Sequence, residues 1–285
     1  MLLKNYKTIF LNELASLYDE KEIESFFYLV LEKFHHQKRI DLALNPEMIL
    51  DEKQASLWNS VVADLKKQKP IQYILEVTEF YGLPFIVNEN VLIPRPETEE
   101  LVDLIINSER RENREDRKAS ILDIGTGSGC IAISLAKHLS NAEVFAIDVS
   151  EKALEVAKKN TALNNVAITF LLKDILKVEN LEQQFDTIVS NPPYVRNLEK
   201  AAINPNVLDY EPHVALFVAD NDALLFYRKI TQLAKLHLKP KGKLYFEINQ
   251  YLGIETIALV ESFGFKNVTL HKDIYGNDRM IACNI

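Results

Sequence analysis

Along the first seventy residues, apolar positions recur at three- and four-residue spacing. In KEIESFFYLVLEKFHH, Ile23, Phe26, Phe27, Val30, Leu31 and Phe34 fall on one face of a predicted helix. A second stripe follows Asp51-Glu52-Lys53, comprising Leu57, Val61, Val62 and Leu65, and Pro70 then interrupts the helix. These stripes predict the core of a small all-α bundle over residues 1–75. In EFYGLPFIVNENVLIP, aromatic and β-branched residues around Gly82 predict two short strands and a turn, read as a hairpin linker over residues 76–95. A helix is expected from Pro96, with acids in its first turn and Leu101, Val102, Leu104 and Ile105 beyond. The run ERRENREDRK, residues 109–118, has mixed charge and no apolar residue, as a solvated helix end and loop would.

From Ala119 the period shortens. SILDIG, AEVFAID, AITFLL, FDTIVS and GKLYFEI read as strands buried on both faces, with helices between them at 128–139, 151–163, 222–238 and 251–262. This alternation predicts an α/β fold, a doubly wound Rossmann-like sheet over residues 96–285. KNVTLHKD and RMIACNI, flanking Tyr275-Gly276-Asn277-Asp278, add a terminal antiparallel hairpin.

Composition narrows the partners more than the fold. The 285 residues suit one large domain, alone or with a smaller companion. A net charge of -8 repels a phosphate backbone, so a protein or small molecule is expected as substrate rather than nucleic acid. Cys130 and Cys283 are too few for a disulfide framework, and no Cys-x-x-Cys pair suggests a metal. The opening MLLKNYKTIFLNELASLYDEKE carries charges every few residues, unlike a signal peptide or a span. A soluble, cytoplasmic protein without a membrane partner is expected, acting as a monomer.

Three of the eight glycines fall within five positions, in Asp123-Ile-Gly125-Thr126-Gly127-Ser128-Gly129. Placed between a predicted strand and a predicted helix, they imply a backbone that turns sharply and lies bare against a ligand. Cys130 stands where the dinucleotide fingerprint has its third glycine, and no Gly-Lys-Ser/Thr ending is present, which argues against NAD and ATP. Asp148, at the end of AEVFAID, is placed to accept from both hydroxyls of a ribose, or else to cap the next helix together with Ser150. Asp174 ends the next strand within reach of an adenine amino group, with Ile175 against the ring; both also fit a surface loop.

Asn191-Pro192-Pro193-Tyr194 follows directly on FDTIVS. The Pro-Pro pair ends the strand in a stiff, extended backbone, and the carboxyl end of a strand is where α/β enzymes place chemistry. Taken alone, the segment also fits a proline-terminated loop with a half-buried tyrosine. Together with the upstream glycine turn it resembles the amino-methyltransferases, which act on adenine N6, guanine N2 or glutamine N5 and use S-adenosyl-L-methionine. The nitrogen in all three has a delocalised lone pair and is a poor nucleophile. Acceptors aimed at its two N–H groups, the Asn191 side-chain oxygen and the Pro192 carbonyl, would orient it and stabilise the positive charge that develops. Tyr194 would stack on the planar group.

Leu92-Ile93-Pro94-Arg95-Pro96-Glu97-Thr98-Glu99, with Gln72-Tyr73-Ile74, Glu79-Phe80-Tyr81-Gly82 and the ending Asp273-x-x-Gly276-x-Asp278-Arg279, resembles the peptide chain release factor N5-glutamine methyltransferases (the PrmC/HemK family) over essentially the whole chain. The resemblance implies a substrate, the glutamine of the Gly-Gly-Gln loop of class I release factors. It also implies site roles: Gly125, Thr126, Gly127, Ser128, Gly129, Asp148, Asp174 and Ile175 toward the cofactor, Asn191 at both cofactor and substrate, and Pro192, Pro193 and Tyr194 at the substrate. Many relatives carry an aromatic residue at the position of Ile175. Arg95 and Glu97 are expected to shape the cofactor site, hold domains together or form a helix-start salt bridge. The two-domain layout suggests that the helical N-terminus recognises the protein substrate. The rival readings are a nucleic-acid amino-methyltransferase, which would need a flipped base and a positive surface, and a nucleoside-binding module without catalysis.

Overall fold

The computed structural model describes residues 1–111 and 118–285. Of the charged run at 109–118, residues 112–117 lie outside the described residues. The chain divides into two compact units, Met1–Glu76 with Asn204–Tyr210, and Val77–Ile203 with Glu211–Ile285.

The first unit contains α1 (Leu3–Leu14), α2 (Glu20–His35), α3 (Arg39–Leu44), α4 (Glu52–Lys66) and α5 (Ile71–Leu75). Local chemistry sets the helix starts. The Asp19 carboxylate accepts from the N–H groups of Lys21 and Glu22, and Asp51 and Gln54 form a reciprocal capping box. Ile23, Phe27, Val30 and Leu31 of α2 are buried as their spacing predicts. On α4 the predicted stripe is off by one position: Leu57 is 38% exposed, whereas Trp58 is wholly buried. Trp58 stands three, four and seven residues before Val61, Val62 and Leu65, at the centre of the face, and its larger surface gains more from burial. Its indole N–H donates to His35 Nε2 at 2.8 Å, and Phe10 and Phe27 pack on it and on one another. Tyr210 closes this unit, donating to the Lys67 carbonyl at 2.8 Å.

The second unit begins with the antiparallel pair β1 (Thr78–Phe80) and β2 (Leu83–Phe85), turned at Tyr81-Gly82, and then α6 (Pro96–Arg111). The central elements are β3 (Ala119–Ile124), α7 (Cys130–His138), β4 (Ala142–Asp148), α8 (Glu151–Asn164), β5 (Ile168–Leu172) and β6 (Phe185–Ser190). Next come β7 (Val195–Arg196), α9 (Pro205–Tyr210, grouped with the first unit), α10 (His213–Leu216) and β8 (Phe217–Val218). The last elements are α11 (Leu225–His237), β9 (Leu238–Glu247), α12 (Gly253–Ser262), β10 (Lys266–Lys272) and β11 (Asp278–Asn284). The seven-stranded sheet has the order β10-β11-β9-β6-β3-β4-β5. Strands β3, β4, β5, β6 and β9 run parallel, and the terminal hairpin pairs antiparallel on β9. This is the expected doubly wound, Rossmann-like architecture with its antiparallel end.

One strand departs from the expected burial. β5 has no fully buried position, only half-buried and exposed ones, because it forms the sheet edge and one side lacks a neighbouring strand. The short pieces between Val195 and Val218 carry no sustained period, and the sequence assigned them no element.

After β3 the chain moves outward through β4 to β5 and then returns to β6 on the other side of β3. The reversal opens a crevice beyond the carboxyl ends of β3 and β6, where open α/β sheets bind ligands. Gly129 holds the helix beside it close to its neighbour: with φ at +83°, an added Cβ would lie 3.0 Å from Ile133 Cδ1 and 3.2 Å from Ala157 Cβ. Gly129→Ala is therefore expected to destabilise the fold by roughly 1–3 kcal/mol. An unchanged denaturation midpoint would refute this tight packing.

Candidate active site

Two loops face each other across the crevice. The first leaves β3 as Gly125-Thr126-Gly127-Ser128-Gly129. The Gly125 and Thr126 N–H groups bind the Ile147 carbonyl of β4, at 2.8 and 3.0 Å. Positive φ at Gly125, Gly127 and Gly129 lets the chain fold back over so short a distance. An added Cβ on Gly127 would meet nothing within 4 Å, and one on Gly125 only the Asn191 carbonyl at 4.0 Å, so both glycines border open space. The second loop leaves β6 as Asn191-Pro192-Pro193-Tyr194. Ser190 Oγ donates to the Ile124 carbonyl at 2.6 Å and ties the two strand ends together.

Between the loops lies a cavity of about 280 Å³. Gly125, Gly127, Asp148, Asp174, Ile175, Asn191, Pro192 and Pro193 all line it, so eight of the residues singled out in the sequence meet at one place. Tyr194 borders a smaller adjoining cavity, together with Asn191, Pro192, Arg95 and Glu247. A larger groove, of about 910 Å³, runs between α6 and the terminal hairpin and is lined by none of the residues expected to contact cofactor or substrate.

Thr126, Ser128 and Gly129 face the other way. Ser128 and Thr126 are buried; the Ser128 carbonyl accepts from Asn160 at 2.9 Å, and Thr126 Oγ1 donates to Asp123 at 2.6 Å. Asp123 is wholly buried, and burial outweighs this hydrogen bond and moves its carboxyl up to about 7. Between about pH 4 and 7 the folded chain then holds a proton that the unfolded chain has released, so stability falls as pH rises through that window and levels off above it. Asp123→Asn should flatten this slope while keeping an acceptor for Thr126. Denaturation midpoints measured from pH 4 to 8 that fall equally in both proteins would contradict the assignment.

Asp148 closes the floor of the cavity. One carboxylate oxygen accepts from the Gly127 N–H at 2.8 Å and the other from the Ser150 N–H at 2.9 Å. Each oxygen keeps a further lone pair, so the carboxylate can brace the glycine turn and still accept hydroxyls. The cap of α8 is Ser150, whose Oγ accepts from the Ala153 N–H. Asp174 accepts from the Leu176 N–H and pairs with Lys177, which holds its carboxyl below the usual range. Ile175 is buried and presents an apolar wall, and Phe226 lies on the same lining.

Behind the tetrapeptide is a polar cluster that the sequence reading missed. Glu247, at the end of β9, is buried and accepts from Thr98 Oγ1 at 2.6 Å and from Tyr194 Oη at 3.0 Å. Asn191 Nδ2 donates to Thr98 Oγ1 at 3.3 Å, and Asn249 Nδ2 donates to the Tyr194 carbonyl at 3.1 Å. Burial raises the Tyr194 phenol well above its ordinary range, with the Glu247 charge adding to the effect, so this tyrosine stays protonated. Arg95 pairs with the buried Glu211 at 2.5 Å, and Glu211 also accepts from the Ile93 N–H, joining the 92–95 segment to the loop before α10. Of these residues Glu247 left a trace in the sequence, as an acid between the apolar run Leu244-Tyr245-Phe246 and Ile248. Phe226 and Asn249 left none.

The model of the PrmC N-terminal domain family matches residues 10–75, and that of the methyltransferase small domain matches residues 108–209. A release factor glutamine methyltransferase from Flavobacterium psychrophilum is 66% identical over 284 residues, covering 100% of this chain and 99% of that protein. One from Bacteroides thetaiotaomicron is 44% identical, covering 95% of this chain and 96% of its own. Among solved structures, a methyltransferase from Pyrococcus furiosus superposes with a TM-score of 0.51 at 20% identity, over 82% of this chain and 98% of that one, a likeness of fold alone. Similarity at these levels covers 95% or more of this chain and nearly the whole of each relative, and the chain belongs to the release factor glutamine methyltransferase family.

Proposed function

We propose that this protein transfers a methyl group from S-adenosyl-L-methionine to the side-chain amide nitrogen, N5, of the glutamine in the Gly-Gly-Gln loop of class I peptide chain release factors, acting as a monomer in the cytoplasm. The observation that carries the chemistry is the placing of Asn191 and Pro192 on the same cavity as Gly125, Gly127 and Asp148. Membership of the family carries the choice of a protein glutamine.

The cavity suits the cofactor. Two glycines without side chains border open space, an acid with spare lone pairs ends β4, and Ile175, Leu176 and Phe226 supply apolar surface for a base. Gly125, Gly127, Asp148, Asp174 and Ile175 would hold it. When bound, S-adenosyl-L-methionine supplies an electrophilic methyl on a sulfonium.

The protein's own contribution is placement and polarity. Asn191 Oδ1 and the Pro192 carbonyl accept from the two N–H groups of the substrate amide, hold its nitrogen in line, and stabilise the positive charge that builds there as the lone pair localises. Tyr194 offers a ring face, because its hydroxyl is engaged by Glu247 and raised too far to act as a base. No base is needed before attack, since the alkylated nitrogen is acidic and gives its proton to water. No helix among the described residues is long and apolar enough to cross a membrane. The helical unit is suited to grip the body of the release factor, beyond the loop.

Mass spectrometry of a release factor after incubation with the protein and methyl donor tests this reading. One added methyl on the loop glutamine is expected. Label found on nucleic acid and absent from the release factor would overturn it.

A further inference from the structure

The tetrapeptide's amide must face a particular way. Acceptance from a substrate N–H requires Asn191 to present Oδ1, whereas its own NH₂ would repel the amide it is meant to hold. The two ends of a side-chain amide have nearly the same shape, so packing alone does not select between them.

We propose that Glu247 and Thr98 are positioning residues that make this selection through the direction of their hydrogen bonds. Glu247 is 1% exposed and Thr98 2% exposed, so water does not supply alternative partners to either. Burial pushes the Glu247 carboxyl up, but both of its oxygens are placed to receive hydroxyl donors, Thr98 Oγ1 at 2.6 Å and Tyr194 Oη at 3.0 Å, and these donors and the Arg279 charge oppose that rise. An ionised carboxylate only accepts. Thr98 has a single hydroxyl proton, and it is committed to Glu247. Toward Asn191, Thr98 therefore presents lone pairs alone, and these accept from Nδ2 at 3.3 Å. With the amide reversed, Oδ1 would face those lone pairs inside the protein, leaving two acceptors opposed and unsatisfied. The relay Asn191 Nδ2–H to Thr98 Oγ1–H to Glu247 thus leaves Oδ1 as the end of the amide free for substrate. One carboxylate orients both polar ends of the tetrapeptide: the Asn191 amide through Thr98, and the Tyr194 ring directly.

This inference rests on the proposed role of Asn191 as an acceptor for the glutamine amide. Thr98→Val keeps the shape and removes the relay. It is expected to lower kcat about tenfold while cofactor affinity stays within about twofold, since the side chain does not line the 280 Å³ cavity beside the glycine turn. Thr98→Ser, which retains the hydroxyl, should restore most of the rate. Because Thr98 acts through Asn191, adding Thr98→Val to Asn191→Ala should cost nothing further. A wild-type rate for Thr98→Val, no rescue by serine, or a second full loss in the double variant would each overturn the relay while leaving the methyltransferase reading intact. A neutron structure of the wild-type protein supplies a readout independent of activity. Deuterium on Asn191 Nδ2 pointing at Thr98, and on Thr98 Oγ1 pointing at Glu247, is expected. Either one reversed would overturn the relay even if no release factor were methylated.

Discussion

Asn191→Ala is expected to lower the rate of glutamine methylation by roughly a hundredfold or more, with cofactor binding preserved. The size follows from what the side chain does. In the proposed role, a half-buried acceptor aimed at a nitrogen that becomes positive only as the methyl bond forms stabilises the transition state more than the ground state, and groups of that kind are worth about 10²–10³ in turnover. The loss should fall on kcat. Among the described residues the side chain makes one hydrogen bond, the 3.3 Å contact with Thr98, so truncation should cost the fold only about 1 kcal/mol. Single-turnover rates with saturating release factor, alongside calorimetry of cofactor binding, separate the two effects. An unchanged rate would show that the amide is held elsewhere. An equal loss of cofactor affinity would place Asn191 in the cofactor's binding rather than in the reaction.

Asp148→Ala should weaken cofactor binding by roughly 10- to 150-fold, or about 1.5–3 kcal/mol, the range for removing a charged acceptor from buried hydroxyl partners. Two contributions add here. The carboxylate is the one acid ending β4 at the cavity, and it also fastens the Gly127 and Ser150 N–H groups that shape the cavity's edge. Asp148→Asn keeps one acceptor oxygen while losing the charge, so it should fall between wild type and alanine. Burial holds the Asp148 carboxyl above its ordinary range, opposed by those backbone donors, so the binding contribution of the ionised form should fade as pH drops toward that range. Calorimetry showing wild-type affinity for Asp148→Ala would remove Asp148 from the cofactor site.

Much of this was readable without coordinates, for a physical reason. Elements with a repeating period announce themselves, because burial of one face leaves its mark every two or every three to four positions. The stripe of α2 and the apolar runs of β3, β4 and β6 are examples. The errors came where the period underdetermines the outcome. Leu57 and Trp58 both border the apolar face of α4, and the choice between them depends on what packs opposite. AITFLL resembles a central strand, and only its place in the strand order makes it an edge. The segment from Val195 to Val218, with two-residue strands and helices of four to six residues, has no period to read.

The site divides in the same way. By itself the sequence determined which groups are on offer, three glycines in five positions, an acid ending the following strand and an amide-bearing residue locked before two prolines, because backbone conformation and functional groups are local properties; their resemblance to the amino-methyltransferases named the chemistry. Composition pointed away from nucleic acid, and the resemblance carried by the 92–99 segment pointed to a protein glutamine. Only the tertiary structure decided which members of those motifs reach the cavity. It turned Gly125 and Gly127 outward, and Thr126 and Ser128 inward to hold the turn itself. It also brought Thr98, Asn191 and Glu247 together from three elements far apart in the chain. Hydrogen-bond direction between such residues has no signature along a sequence, since it exists only once the groups meet in a place that excludes water.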